Sequence, residues 1–265
     1  MARIALGIEY DGSHFRGWQT QQPGVRTVQE ALDDALSQVA NQPVTTVCAG
    51  RTDAGVHGTG QVVHFDTDAS RDMRSWVFGA NRYLPGDAVV RWAQPVGDDF
   101  HARFSAISRR YRYVIYNHPR PPALYRTQVT WNYRPLDVAA MRAAAELLTG
   151  THDFSAYRSV HCQAKSAVKT MHQLRLVEHG KLIVLEAHAN AFLMHMVRNI
   201  SGVLMAIGAG KAPPEWAGEV LSSRDRRQGG VTAPPFGLYL VDIEYPAHHN
   251  LPDEPKGPLW LPDVL

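Results

Sequence analysis

The sequence predicts an α+β chain: two ferredoxin-like β-α-β-β-α-β halves joined into one mixed, mainly antiparallel sheet, with helices on one face and the other face open. Three observations predict it. Strand-like alternation and helical periodicity follow one another in the same order twice. Turn signals such as Asp11-Gly12, Pro85-Gly86 and His179-Gly180 separate the segments. No apolar run in the 265 residues approaches membrane-spanning length.

Each element follows from its residues. Residues 3–12, RIALGIEYDG, alternate as a strand and stop at Asp11-Gly12. Residues 27–40, TVQEALDDALSQVA, place Val28, Leu32, Ala35, Leu36 and Val39 on one helical face, with Thr27 as N-cap and Glu30 three residues later. VTTVCAGR (44–51) and GQVVHFD (60–66) read as strands, RSWVFGANRYL (74–84) as a helix, and DAVVRWAQPV (87–96) as a strand. The second half opens with the strand RRYRYVIYN (109–117) and the helix DVAAMRAAAELLTG (137–150), ended by Gly150. Residues 171–192 give two strands joined near His179-Gly180. Helices follow at 194–210 and 215–224, and FGLYLVDIEY (236–245) closes as a strand. The halves are placed at 1–100 and 101–245, with a Pro-rich tail over 246–265. Between them no residue-level identity is visible, and NHPRPPALYR (117–126) is a long loop inside the second half.

A hydrophobic content of 45% with 20% charge excludes a disordered or fibrous chain. Cys48 and Cys162 alone give no disulfide framework, and the N-terminus enters a strand without signal-peptide anatomy. A reducing, cytoplasmic setting is expected, with no membrane association. The net charge of +2 says little, but its distribution says more. From Phe100 to Leu136 there is no acid, yet the stretch holds Arg103, Arg109, Arg110, Arg112, Arg120, Arg126 and Arg134 among interleaved aromatics. A solvated strand face over core aromatics is the plainer reading of such a run. The missing acids favour a polyanionic partner, a nucleic acid.

One stretch concentrates the chemistry. Residues 50–58, GRTDAGVHG, set Arg51 and Asp53 among three glycines between two strands. Gly50, Gly55 and Gly58 permit positive φ and close backbone approach, so a ligand can come near the chain. A plain turn, with Asp53 capping amides and Arg51 solvated, explains the shape equally well. Chemically, Asp53 has three readings: a metal ligand with His57, His64 or Cys48, whose spacing matches no ligand pattern; a general base without a marked partner acid; and a carboxylate nucleophile.

Five blocks resemble one family. GRTDAGVHGTGQVVHF resembles the catalytic signature of the tRNA pseudouridine synthase A family, and ALGIEYDGSHFRGWQ its N-terminal motif. FHARFSAISRRYRYVIYN resembles its basic strand, NAFLMHMVRNISG its late helix and FGLYLVDIEY its closing strand. The blocks lie in order from residue 5 to residue 245. The resemblance implies the pseudouridine synthase fold and isomerisation of uridine to pseudouridine at positions 38, 39 and 40 of the tRNA anticodon arm. It implies no cofactor and no metal, and a homodimer whose cleft holds the tRNA. By the same resemblance Asp53 matches the nucleophile, Tyr111 the tyrosine that stacks on the target base, and Arg198 the basic residue paired with the nucleophile. Arg51 matches the arginine that helps open the base from its stack, and Leu238 the apolar floor beneath the uracil. The nucleotide must leave its helix to be reached, and Tyr111 would replace the lost stacking.

Further tRNA contacts are expected from Arg16, Arg71, His101, Arg103, Arg109, Arg110 and Lys165. Alternation sends Arg110 and Arg112 to the strand face opposite Arg109 and Tyr111. His57, His64 and His172 read as structural, Cys48 as strand core, and Trp18 as loop or core. A non-catalytic RNA-binding module is the alternative, though it leaves a carboxylate facing polyanionic RNA unexplained. An aspartate-dependent hydrolase would instead release free uracil or phosphate.

Overall fold

The computed structural model describes residues 1–261. In chain order its elements are β1 (Ala2–Tyr10), α1 (Val28–Ala40), β2 (Val47–Cys48), β3 (His57–Thr67), α2 (Met73–Tyr83), β4 (Ala88–Val96), β5 (Ser108–Asn117), β6 (Thr130–Asn132), α3 (Val138–Glu146), β7 (Gly150–Asp153), β8 (Val168–His179), β9 (Leu182–Ala189), α4 (Met196–Gly208), α5 (Trp216–Ser223) and β10 (Leu238–Glu244). The class is the expected α+β, with mainly antiparallel ladders. The chain forms two compact units. One comprises Met1–Ile107 and Tyr239–Leu261, the other Ser108–Leu238.

In the first unit, β1 lies between β4 and β3 in antiparallel ladders, β2 pairs with β3, and β10 runs parallel to β3 with Tyr239 opposite His57. The closing strand, read from sequence as the end of the second half, therefore belongs here. Alternation sends Ile4, Leu6, Ile8 and Tyr10 to one face, where Val63 and Phe65 join them. The stripe of α1 (Val28, Leu32, Ala35, Leu36) and Trp76 and Ala80 of α2 close this core. Each such fully buried large side chain contributes about 2 kcal/mol. The helix ends are capped as their residues dictate: Thr27 Oγ1 accepts from Glu30 N, Asp72 from Ser75 N, and Asn41 ends α1 at φ +54°.

The face bearing Ala5, Gly7, Trp92 and Gln94 is not open. The tail crosses it: Gln94 Nε2 donates to His249 O and Asn250 O, Arg91 faces Glu254, and Lys256 faces Asp242. A cleft of about 360 Å³ lies between, lined by Thr59, Gln61, Arg91, Trp92, Asp242 and Glu254 among others. The tail's last four residues, 262–265, lie outside the described residues.

In the second unit, β9 lies between β5 and β8 in antiparallel ladders, β7 extends β8, and β6 runs parallel to β5. Asp137 caps α3, which ends at Glu146, so Gly150, at φ +106°, opens β7 instead of closing the helix. Strands β6 and β7 are additions to the expected order. Met141, Ala144 and Ala145 of α3 and Ile200, Val203 and Leu204 of α4 supply buried side chains. No described helix is long and apolar enough to cross a membrane.

Candidate active site

Asp53 stands in a turn that the surrounding chain pins. Val56 N–H donates to Asp53 O at 3.1 Å, closing a four-residue turn whose third residue, Gly55, sits at φ +79°. That dihedral suits the third position of a type II turn, which glycine adopts at least cost. Trp18 N–H donates to Thr52 O (3.0 Å), Gly55 N–H to Phe15 O (3.3 Å), and Tyr10 Oη shares a hydrogen bond with Thr52 Oγ1 (2.9 Å). Upstream, buried Gln61 holds Gly50 twice, donating to its carbonyl at 2.6 Å and accepting from its N–H at 3.3 Å. Thr52 and Val56 are buried, Asp53 is half-buried and Arg51 is exposed. One carboxylate and one guanidinium are thus presented on a fixed loop ahead of β3.

Gly58 has a local task. A Cβ on Gly58 would stand 2.6 Å from the Tyr10 ring, so this glycine makes room for Tyr10. Trp18 is core, 1% exposed. His57 is buried, stacked on Tyr239 at 4.6 Å, with Nδ1 3.0 Å from Asp11 Oδ1. Burial opposes ionisation of Asp11, but hydrogen bonds from His57 and Ser13 outweigh it and hold its carboxyl well below the usual range. Cys48 and Cys162 are free, and burial pushes the Cys48 thiol up to about 12.

Tyr111, on β5 opposite Ala187 of β9, is 9% exposed and meets the edge of Phe192 at 5.0 Å and 80°. Arg198 is the third residue of α4 and half-buried. Its Nε donates to Ala233 O at 2.9 Å, and Ala233 N–H donates back to Arg198 O at 3.1 Å. Arg226 secures the same segment, with Nη2 donating to Asn199 Oδ1 (3.1 Å) and Thr232 Oγ1 (2.9 Å). The guanidinium of Arg198 is therefore aimed by a fixed backbone. Leu238, 5% exposed, directly precedes Tyr239, which faces His57 in the parallel ladder. Asp53 and Arg51 lie in the first unit, Tyr111, Arg198 and Leu238 in the second.

The remaining basic residues fall into distinct settings. Arg16 and Lys165 are exposed on loops. Arg71 Nε donates to Val39 O (3.1 Å) and so satisfies the last turn of α1, where a cation also meets the negative end of the helix dipole. Arg109 Nη1 donates to Asn190 O at 3.0 Å. Arg110 and Arg112 share a face as alternation requires, and both reach Glu186 at 2.9 Å, so an RNA phosphate would compete with that carboxylate for Arg110. Nδ1 of His101 accepts from Arg103 N and Phe104 N, and burial lowers its pKa, making it a neutral N–H donor rather than a cation. Two partners escaped sequence reasoning. Glu186 is the lone acid in LIVLEAHA, which was its signal; Phe192 sits inside the quoted NAFLMHMVRNISG block. Asp99, His248 and His249 bring potential metal-ligand atoms within 4.8 Å of one another, and none belongs to the Asp53 loop.

Residues 7–105 and 144–246 match the sequence profile of the tRNA pseudouridine synthase family. The chain belongs to this family. The matched segments contain Arg51, Asp53, Arg198 and Leu238, whereas Tyr111 lies between them. It is 76% identical over 265 residues to the tRNA pseudouridine synthase A of Alcanivorax borkumensis, covering 100% of this chain and 99% of that one. Identity to the tRNA pseudouridine synthase A of Pseudomonas aeruginosa is 61% over 268 residues, covering 100% and 94%. For that of Coxiella burnetii it is 55% over 262 residues, covering 99% and 100%.

Proposed function

We propose that this chain isomerises uridine to pseudouridine in the anticodon arm of tRNA, at positions 38, 39 and 40, with Asp53 as nucleophile. The observation that carries the reading is a half-buried carboxylate on a pinned turn, inside a segment that matches a tRNA pseudouridine synthase profile. An RNA-binding module has no use for that carboxylate, so the family match and the loop together disfavour the non-catalytic alternative.

In the proposed reaction the target nucleotide leaves its stack, and Arg51 braces the vacated space while Tyr111 stacks on the uracil. The Asp53 carboxylate attacks the nucleoside and the C1′–N1 bond breaks. The uracil turns over, a C1′–C5 bond forms, the bond between Asp53 and the nucleoside breaks to return the carboxylate, N1 gains a proton and C5 loses one. Atoms and electrons balance without a co-reactant. Arg198 pairs with Asp53 and orients it, and Leu238 supplies apolar contact beneath the ring. Arg16, Arg71, His101, Arg103, Arg109, Arg110 and Lys165 are offered to the tRNA, with Arg71 also bonded to Val39 O and Arg110 to Glu186 within the protein. The enzyme is proposed to act in the cytoplasm as a homodimer, a setting that suits two free cysteines.

Mapping pseudouridine in bulk tRNA from cells lacking the protein tests the reading. Restoring the wild-type copy is expected to return pseudouridine to the anticodon arm, and an Asp53→Ala copy to leave it absent. Restoration by the Asp53→Ala copy would refute the nucleophile.

A further inference from the structure

The loop after β4 carries a feature that the proposed chemistry does not use. Three aromatic rings form a column from the interior to solvent. His64, 4% exposed, lies 4.7 Å from His101, and His101 lies 4.3 Å from Phe104 with planes only 31° apart. Phe104 ends the column at 76% exposure, and the Arg103 guanidinium stands over its ring at 5.6 Å.

The column is built on a rigid base. Arg3 Nη1 donates to Asp98 O (2.7 Å) and Phe100 O (2.9 Å), and Tyr245 Oη donates to Ala102 O (2.6 Å). Phe100 and Ala102 are fully buried, so alternate residues are anchored while Arg103 and Phe104 point outward. Nδ1 of His64 accepts from Ala102 N, and Nδ1 of His101 accepts from Arg103 N and Phe104 N. Each neutral ring therefore carries its proton on Nε2. Burial lowers the pKa of both, so the column is uncharged at neutral pH.

A phenylalanine this exposed forgoes the burial that normally accounts for its presence. Here it is held in place, backed by the His101 ring and with the Arg103 guanidinium over it, at the start of a stretch without acids. The nearest acid in sequence, Asp99, is turned to His248 at 3.5 Å. An exposed, pre-oriented aromatic flanked by arginine is what an unpaired base stacks on. We propose that Phe104 is a positioning residue whose ring stacks an unpaired nucleobase of the bound tRNA, extending the His64–His101–Phe104 column by one ring. The proposal rests on the reading of this chain as a tRNA-modifying enzyme and adds a specific contact on the chain leading into Tyr111 and distant in sequence from Asp53 and Arg198.

Binding without turnover tests it. Affinities for an unmodified tRNA transcript are measured for Phe104→Ala, Phe104→Leu and Phe104→Trp, each alongside its unfolding midpoint. Stacking predicts roughly tenfold weaker binding for Phe104→Ala and Phe104→Leu, since Leu keeps apolar area but lacks a ring, and near-wild-type binding for Phe104→Trp. Irradiating a 5-iodouridine-substituted transcript with the wild-type protein is expected to cross-link the tryptic peptide 104–109. Wild-type affinity in Phe104→Ala, or equal weakening by Phe104→Trp, overturns the proposal. So does a change of oligomeric state with tRNA affinity intact, which would make Phe104 a contact between copies. Loss of this contact leaves the Asp53 chemistry standing, and an active Asp53→Asn enzyme would leave this contact standing.

Discussion

His64 and Asp33 show what burial does to single titratable groups. The His64 ring is buried with Nδ1 occupied by Ala102 N–H, and its pKa falls from 6.5 to about 4, mainly by desolvation. The unfolded chain takes up a proton as pH drops through 6.5, while the folded chain does not until about 4. Stability therefore falls with pH across that window. Asp33 has the opposite sign. Burial raises its carboxyl from 3.8 to about 6 despite hydrogen bonds from Thr46. The folded chain then keeps a proton that the unfolded chain releases, so this group costs stability as pH rises from 3.8 to about 6. In the wild-type protein the two slopes partly cancel. Asp33→Asn is expected to steepen the loss of stability between pH 6.5 and 4, and His64→Asn to flatten or reverse it. Urea unfolding at several pH values between 4 and 7 measures both, and matching pH profiles for all three proteins would refute the assignment.

At the scale of elements, the pair β5–β9 turns on a buried acid. Glu186 is 5% exposed and faces Arg110 and Arg112, of which Arg112 is 4% exposed. Removing one partner from a buried ion pair strands the other's charge in a poor solvent. Glu186→Gln is expected to lower stability by about 3 kcal/mol, read as a fall in the urea midpoint, whereas a solvated arginine face would lose almost nothing. Strand alternation put Arg110 and Arg112 on one face, but nothing local in the sequence named their cross-strand partner. The helices were the legible elements, because Thr27, Asp72 and Asp137 cap them and their apolar stripes are regular. Strands β6 and β7 hold three and four residues, too few for alternation to register. The parallel seating of β10 against β3 joins positions about 180 residues apart, a pairing no local pattern encodes. The tail contacts through Gln94, Arg91 and Asp242 were hidden for the same reason, since a Pro-rich segment has no periodicity to show which face it covers.

At the scale of the whole molecule, the five motif blocks carried the family, and the profile match with close relatives confirms it. The rigidity of the Asp53 turn was only half legible. Gly55 announced a positive φ, but the grip of Gln61, Tyr10 and Phe15 depends on tertiary packing. The roles of Tyr111 and Arg198 came from resemblance, because residues this far from Asp53 in sequence have no shared local pattern. In the proposed reaction the Asp53 carboxylate makes the bond to the nucleoside. The most direct test is tritium release from a tRNA transcript labelled at uridine C5, using purified wild-type and Asp53→Asn proteins, with tRNA affinity measured on the same samples. Asp53→Asn is expected to lose at least roughly a thousandfold in release with affinity unchanged or tighter, as a negative charge facing RNA is removed. Release by Asp53→Asn within tenfold of wild type would contradict it.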